Sequence, residues 1–348
     1  GQVMVGTLIK LIGIIPSVAY NLVIPTWFAM TAMGAFSVTY NLVAQGSEGA
    51  EEGSPGTARP FLYALVGALF VNILGNLGQI HLILLKLGEG MMESFQSTIP
   101  GLTGLVRTLI GSAEVVFGGR ALPIGLDEWY WNASRAIPVG PYEAVITEFP
   151  FFTFLYADLH AHLLAMPLTF VSLSFALSVV RRGQVPEEGG WKSLLRAVVP
   201  LSLWALALGA LRTTNAWDVP PHLIVVLGAL IIAEFSRRGR LDLRLVWAVA
   251  WQFGLVFLLS WSVLYWPFWD NYGSFYNSID LWSGTRTPVW AYLVVHGLFL
   301  FAILSYLIAR VFGRSDDLRP DPPLRRLGLT FRNLGQRKRL RKAARIVG

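Results

Sequence analysis

The chain has 348 residues, of which 54% are hydrophobic and 14% charged, with a formal net charge of +7. Soluble domains carry about a quarter charged residues, so this composition excludes an ordinary soluble enzyme and reads as a membrane protein. Cysteine is absent, which removes disulfides and thiolate metal sites from consideration.

In chain order, residues 4–15 read as the end of a helix, so the chain is expected to begin inside a helix of a longer protein. Apolar runs follow at 16–43, 60–84, 163–180, 194–211, 219–235, 243–265 and 289–311. A hydrocarbon core takes about 20 helical residues, so each run is predicted to span, making about seven spans after the truncated first helix. The predicted fold class is an all-α polytopic transmembrane bundle, residues 1–313, followed by a basic tail, 314–348. Residues 99–116 are too polar and too short to span and are expected to lie as a helix in the interface.

Lys and Arg cluster on alternate connections: four after residue 180, four after 235 and twelve from Arg310 onward. The positive-inside bias assigns those segments to the cytoplasm of a plasma-membrane protein. The acidic stretch of Glu48, Glu51 and Glu52 falls on the same side, but acidic residues count little in that rule. The tail, with Pro320, Pro322 and Pro323 and the basic run 336–345, is expected to bind anionic lipid headgroups rather than nucleic acid.

The chemistry-bearing motifs then fall on the opposite, external side. Glu148 precedes Phe149–Pro150–Phe151–Phe152, and Tyr156–Ala157–Asp158–Leu159–His160–Ala161–His162 leads into the apolar run at 163. Ionisable groups at the mouth of a membrane helix are costly to hold there and mark a site by default. Asp158, His160 and His162 stand at i, i+2 and i+4. In extended backbone they point one way and suit a single divalent metal. In a helix only Asp158 and His162 share a face. Alternatively Asp158 caps the following helix. Glu148, poorly solvated beside aromatic rings, suits general acid or base work, or it pairs with Arg135 or Arg212. Asn215–Ala216–Trp217–Asp218 and Trp269–Asp270 sit where helices leave the membrane. Asp218 reads either as a turn or cap residue or as a cavity lining beside Arg212, whose guanidinium suits phosphate. The tryptophans read first as interface anchors.

Glu148–Phe149–Pro150–Phe151–Phe152, Ala157–Asp158–Leu159–His160–Ala161–His162 and Ala165–Met166–Pro167 together resemble the signature of the YYY-domain polytopic membrane proteins. Ser134–Arg135–Ala136–Ile137–Pro138, Asn215–Ala216–Trp217–Asp218, Ser283–Gly284–Thr285 and Thr287–Pro288 extend the likeness. That family is grouped with GT-C-type glycosyltransferases, so the resemblance implies transfer of a sugar from a polyprenyl-phosphate donor at the external face. The naming tyrosine run would precede Gly1, and so would the catalytic carboxylate of the first external loop.

Within this chain the expected catalytic pair is Asp158 and Glu148. Asp158, His160 and His162 are the expected ligands of a divalent ion. Arg135, Arg212, Asn215, Asp218, Tyr156, Trp217 and Asp270 are the expected substrate contacts. Two rivals use the same residues differently: a metal-dependent hydrolase of a lipid or lipid-phosphate, and a non-enzymatic assembly or transport subunit. The near absence of charge within the spans counts against a transporter.

Overall fold

In a computed structural model, residues 2–44, 58–89, 95–138, 144–182, 191–273, 281 and 283–312 are described. The basic tail and the acidic stretch before Arg59 lie outside the described residues. The chain forms two compact units. The first comprises the described parts of 1–69 and 159–277, the second those of 70–158 and 278–312.

In the first unit, α1 (Gln2–Ile12) ends where Gly13 takes the left-handed region (φ 72°), and α2 (Pro16–Ala44) starts on a proline. Helix α3 (Ala58–Leu69) and α7 (Ala161–Arg182) both pack on α2. Small residues permit the approach: a Cβ on Gly34 would lie 2.6 Å from the Cβ of Phe170, and one on Gly67 would lie 2.3 Å from Thr39 Oγ1. Lipid supplies no hydrophobic drive between spans, so this interlocking is what holds them. Helices α8 (Trp191–Thr214), α9 (Val219–Arg238) and α10 (Leu243–Leu258) complete the bundle around the buried Trp204, Leu208, Val226, Leu230 and Val256. Gly239 (φ 68°) closes α9 by donating its N–H to Phe235 O at 2.8 Å. The Asp242 carboxylate then caps α10 by accepting from the Leu245 N–H at 2.9 Å. A π turn, Leu259–Val263, carries α10 into the short α11 (Trp266–Asn271).

In the second unit, a π turn at Phe70–Leu74 leads to α4 (Gly78–Glu89), which packs on α5 (Leu102–Phe117). Gly111 makes that contact close, because a Cβ there would meet Leu87 O at 2.0 Å. The predicted continuous span 60–84 is therefore corrected to a bent pair, broken at residues 75–77 and turned by 60°. Gly75 there takes a positive φ of 52° that L side chains resist, and Asn76 needs its amide for other bonds. A two-stranded ribbon, β1 (Ile137–Pro138) and β2 (Ala144–Val145), precedes α6 (Pro150–Tyr156), which has Pro150 in its first turn. Helix α12 (Val289–Phe312) closes the unit.

Among the described residues six helices are long and apolar enough to cross a membrane, seven if the bent pair is one span. Their outward faces carry exposed large side chains such as Met33, Ile224, Trp247 and Phe301, which suit acyl chains rather than water.

Candidate functional site

The most developed polar arrangement of the first unit lies at the C-terminal end of α8. Arg212 sits in the last turn, where orphan carbonyls favour a cation. Its guanidinium lies between two indoles, 3.3 Å from the ring centroid of Trp261 and 3.4 Å from that of Trp269. Its Nη1 donates to the Trp261 carbonyl at 2.9 Å. Each stacked face contributes about 0.5–2 kcal/mol, depending on desolvation. No carboxylate pairs with Arg212 among the described residues. The Trp269 indole N–H is buried and has no acceptor among the described residues. A fixed cation and an idle donor thus stand together where an acceptor-rich group would satisfy both.

Three residues on, the Asn215 amide donates to Asp218 Oδ2 at 3.1 Å across the 3₁₀ turn Ala216–Asp218. Asp218 occupies the N-cap position of α9, yet its side chain makes no capping bond. Trp217 is exposed and so is Asp270. Deeper in the bundle, Ser172 Oγ accepts from Trp204 Nε1 at 2.9 Å and bonds His222 Nδ1 at 2.9 Å, joining α7, α8 and α9. His160 is exposed and His162 half-buried, their ring centroids 5.5 Å apart. Helix α7 begins at Ala161, with the His160 carbonyl accepting from the Leu164 N–H at 3.1 Å. The cap position is thus held by His160, and Asp158 stands two residues before it.

In the second unit, Glu148 Oε2 accepts from Thr153 Oγ1 at 3.4 Å at the start of α6. Arg135 Nη1 donates to Ser134 Oγ at 2.7 Å and stacks on Trp131, 4.3 Å from its centroid. Tyr156 stacks on Phe152, with centroids 5.6 Å apart, and meets Trp131 at 5.9 Å. Asn76 organises this region from the helix break. Its amide donates to Ala133 O at 2.8 Å, and its Oδ1 accepts from the Gly78 N–H at 2.9 Å. Ala157 ends α6 with φ 57°, a left-handed conformation that costs a non-glycine residue about 1–2 kcal/mol. That strain sits immediately before Asp158. Burial leaves Asp158 half-exposed.

Arg212, Asn215 and Asp218 thus gather at one end of the first unit, and Arg135, Tyr156 and Glu148 belong to the aromatic region of the second. The roles of Trp261 and Trp269 as a clamp, and of Ser172 and Trp204 as a buried junction, went unread in the sequence. Trp261 lies inside an apolar run, and a single serine in such a run carries no signal. Among the described residues no group of three or more His, Asp or Glu is arranged to hold a metal ion.

Apolar helices sufficient for six or seven crossings among the described residues, with a stacked cation at one helix end and a polar junction buried between helices, define a polytopic helical membrane protein. Residues 1–347 match the model of a family described as "Uncharacterized membrane protein (DUF2298)", and the chain belongs to that family. No curated protein and no solved structure matches it.

Proposed function

We propose that the protein is a membrane-embedded glycosyl transferase that takes a sugar from a polyprenyl-phosphate donor at the external face. The observation that carries this reading is the Arg212 clamp. Its guanidinium is held flat between Trp261 and Trp269, is unpaired with any carboxylate among the described residues, and lies beside the idle Trp269 N–H. Phosphate oxygens are the acceptors that such a donor pair fits. In the reaction, a carboxylate takes the acceptor hydroxyl proton and the oxygen bonds to the anomeric carbon. The bond from that carbon to the phosphate oxygen breaks, and the electron pair leaves on the phosphate. Arg212 stabilises that developing charge. Asp158 is assigned as the base on sequence grounds, with Glu148 the second carboxylate. Asn215, Asp218, Trp217, Asp270 and Tyr156 are assigned to the substrate, and Arg135 to its phosphate charge, on sequence grounds alone.

The test is transfer from a polyprenyl-phosphate hexose by full-length protein in proteoliposomes. Arg212→Gln should lower kcat/KM by about 100-fold, the effect of removing one preorganised charge-stabilising donor. Arg212→Lys should recover only part of it, because an ammonium lacks the planar fork that the indoles hold. Unaltered transfer by a folded Arg212→Gln protein overturns the assignment.

A further inference from the structure

Near the C-terminal ends of α2 and α7, between the two helices, lies a cavity of about 330 Å³ whose wall combines Val38 and Leu177 with the polar Ser37, Asn41, Ser178, Arg181 and Arg182. The spacing is helical on both sides: Ser37 and Asn41 are four apart on α2, and Ser174 and Ser178 four apart on α7. Arg181 reaches across, its Nη1 donating to Asn41 Oδ1 at 3.1 Å and its Nη2 to the Asn41 carbonyl. Arg182 Nη1 donates to the Arg196 carbonyl at 2.7 Å. Neither arginine has a carboxylate partner among the described residues. The Arg181 Nε is buried with no acceptor among the described residues. The Ser37 and Ser178 hydroxyls make no hydrogen bond among the described residues.

An arginine serving only to tie α7 to α2 needs its two terminal nitrogens and nothing else. Here a buried donor is left over, a second cation stands beside it, and two free hydroxyls face the same space. Buried donors are almost always satisfied, so the remainder describes a ligand with several acceptor oxygens and negative charge. Exposed Met33, Leu42 and Val171 on the same two helices lie among acyl chains in a membrane. The positive-inside bias assigns this end to the cytoplasmic leaflet, where anionic lipids concentrate. We propose that the cavity is a phosphate site, taking the phosphate of an anionic phospholipid headgroup or free phosphate, with Arg181, Arg182, Ser37 and Ser178 as its donors. The site is independent of the Arg212 clamp.

The experiment uses the full-length protein in nanodiscs of phosphatidylcholine alone or with a minor fraction of phosphatidylglycerol. Retained lipid is read by native mass spectrometry, and Tm is read with and without inorganic phosphate. The wild type should retain phosphatidylglycerol over phosphatidylcholine by at least about tenfold, the worth of one charge-assisted contact. Ser37→Leu and Ser178→Leu, which fill the cavity and spare the Arg181 cross-link, should bring that ratio to parity without lowering Tm in phosphatidylcholine. Arg182→Gln is an independent variant should a leucine disturb the packing. A wild-type Tm raised by inorganic phosphate, abolished in the variants and accompanied by no lipid preference, supports the site and assigns it to free phosphate. Equal phosphatidylglycerol retention by wild type and all three variants overturns the proposal. So does a wild type with neither lipid preference nor a phosphate-dependent Tm.

Discussion

Replacing Gly209 with alanine tests how the Arg212 clamp is built. A Cβ at Gly209 would lie 2.0 Å from Tyr265 Cε2 and 2.3 Å from its Cδ2, so the ring must move. Tyr265 is anchored on the same helix, its hydroxyl donating to the Leu206 carbonyl at 2.6 Å. Displacing a packed ring costs about 1–3 kcal/mol. Losing the hydroxyl bond costs about 1 kcal/mol more. Alanine returns about 1 kcal/mol through its better helix propensity. The expected net destabilisation is therefore about 2 kcal/mol. The consequence reaches the site because the Tyr265 carbonyl accepts from the N–H groups of Phe268 and Trp269 at 3.1 and 3.2 Å. When Tyr265 shifts, Trp269 is drawn off Arg212.

The assay is equilibrium unfolding in mixed detergent–lipid micelles, with tryptophan emission recorded in the folded state. Tyr265→Phe alone should cost about 1 kcal/mol. In a Tyr265→Ala background the Gly209→Ala change should become neutral or stabilising by up to about 1 kcal/mol, because the clash is gone and the propensity gain remains. The reasoning is refuted if Gly209→Ala costs the same in both backgrounds.

Ser172→Ala should destabilise by about 2–4 kcal/mol in the same assay, since it strands the Trp204 indole N–H and His222 Nδ1 in the bundle core. Ala157→Gly should stabilise by about 1 kcal/mol, read as a rise in Tm, because glycine adopts the left-handed end of α6 without a Cβ penalty. The Glu128 carboxylate is held below its ordinary value of 4.5 by the Gly125 N–H, and then by the Lys86 ammonium. A lowered acid stabilises the fold fully above its unfolded value and loses that contribution as pH falls through the folded value. Tm should accordingly decline on acidification below about pH 4.5, and Glu128→Gln should flatten that part of the profile.

The spans were legible because each is a run of apolar residues near the length a bilayer needs, and 163–180, 194–211 and 219–235 lie within helices α7, α8 and α9. The run 60–84 misled because hydropathy averages over Asn72, Gly75 and Asn76, the residues that make the π turn and the break. Asp158 looked like a cap because a carboxylate before an apolar run is the usual signal. The helix starts later, and His160 supplies the first accepting carbonyl. Arg212 was legible as a cation at a span end, by type and position. Its partners were not, because Trp261 lies 49 residues away in sequence and reads as ordinary lipid-facing bulk.

What makes Arg212 more than an interfacial cation is where α10 changes its winding. The Leu264 N–H bonds the Leu259 carbonyl at 3.0 Å, five residues back, so the last turn is wider than an α-helix. Such bulges recur at functional sites because they re-aim a side chain at the expense of regular bonding. Here the re-aimed residue is Trp261, which offers Arg212 both a ring face and a backbone carbonyl. The second face comes from Trp269, one short helix later, and that helix is steadied through Tyr265 by the groove at Gly209. A mere anchor at the headgroup level needs one exposed tryptophan and no such chain of dependences. A guanidinium stacked on both faces and paired with no carboxylate among the described residues suits the anion of the proposed reaction.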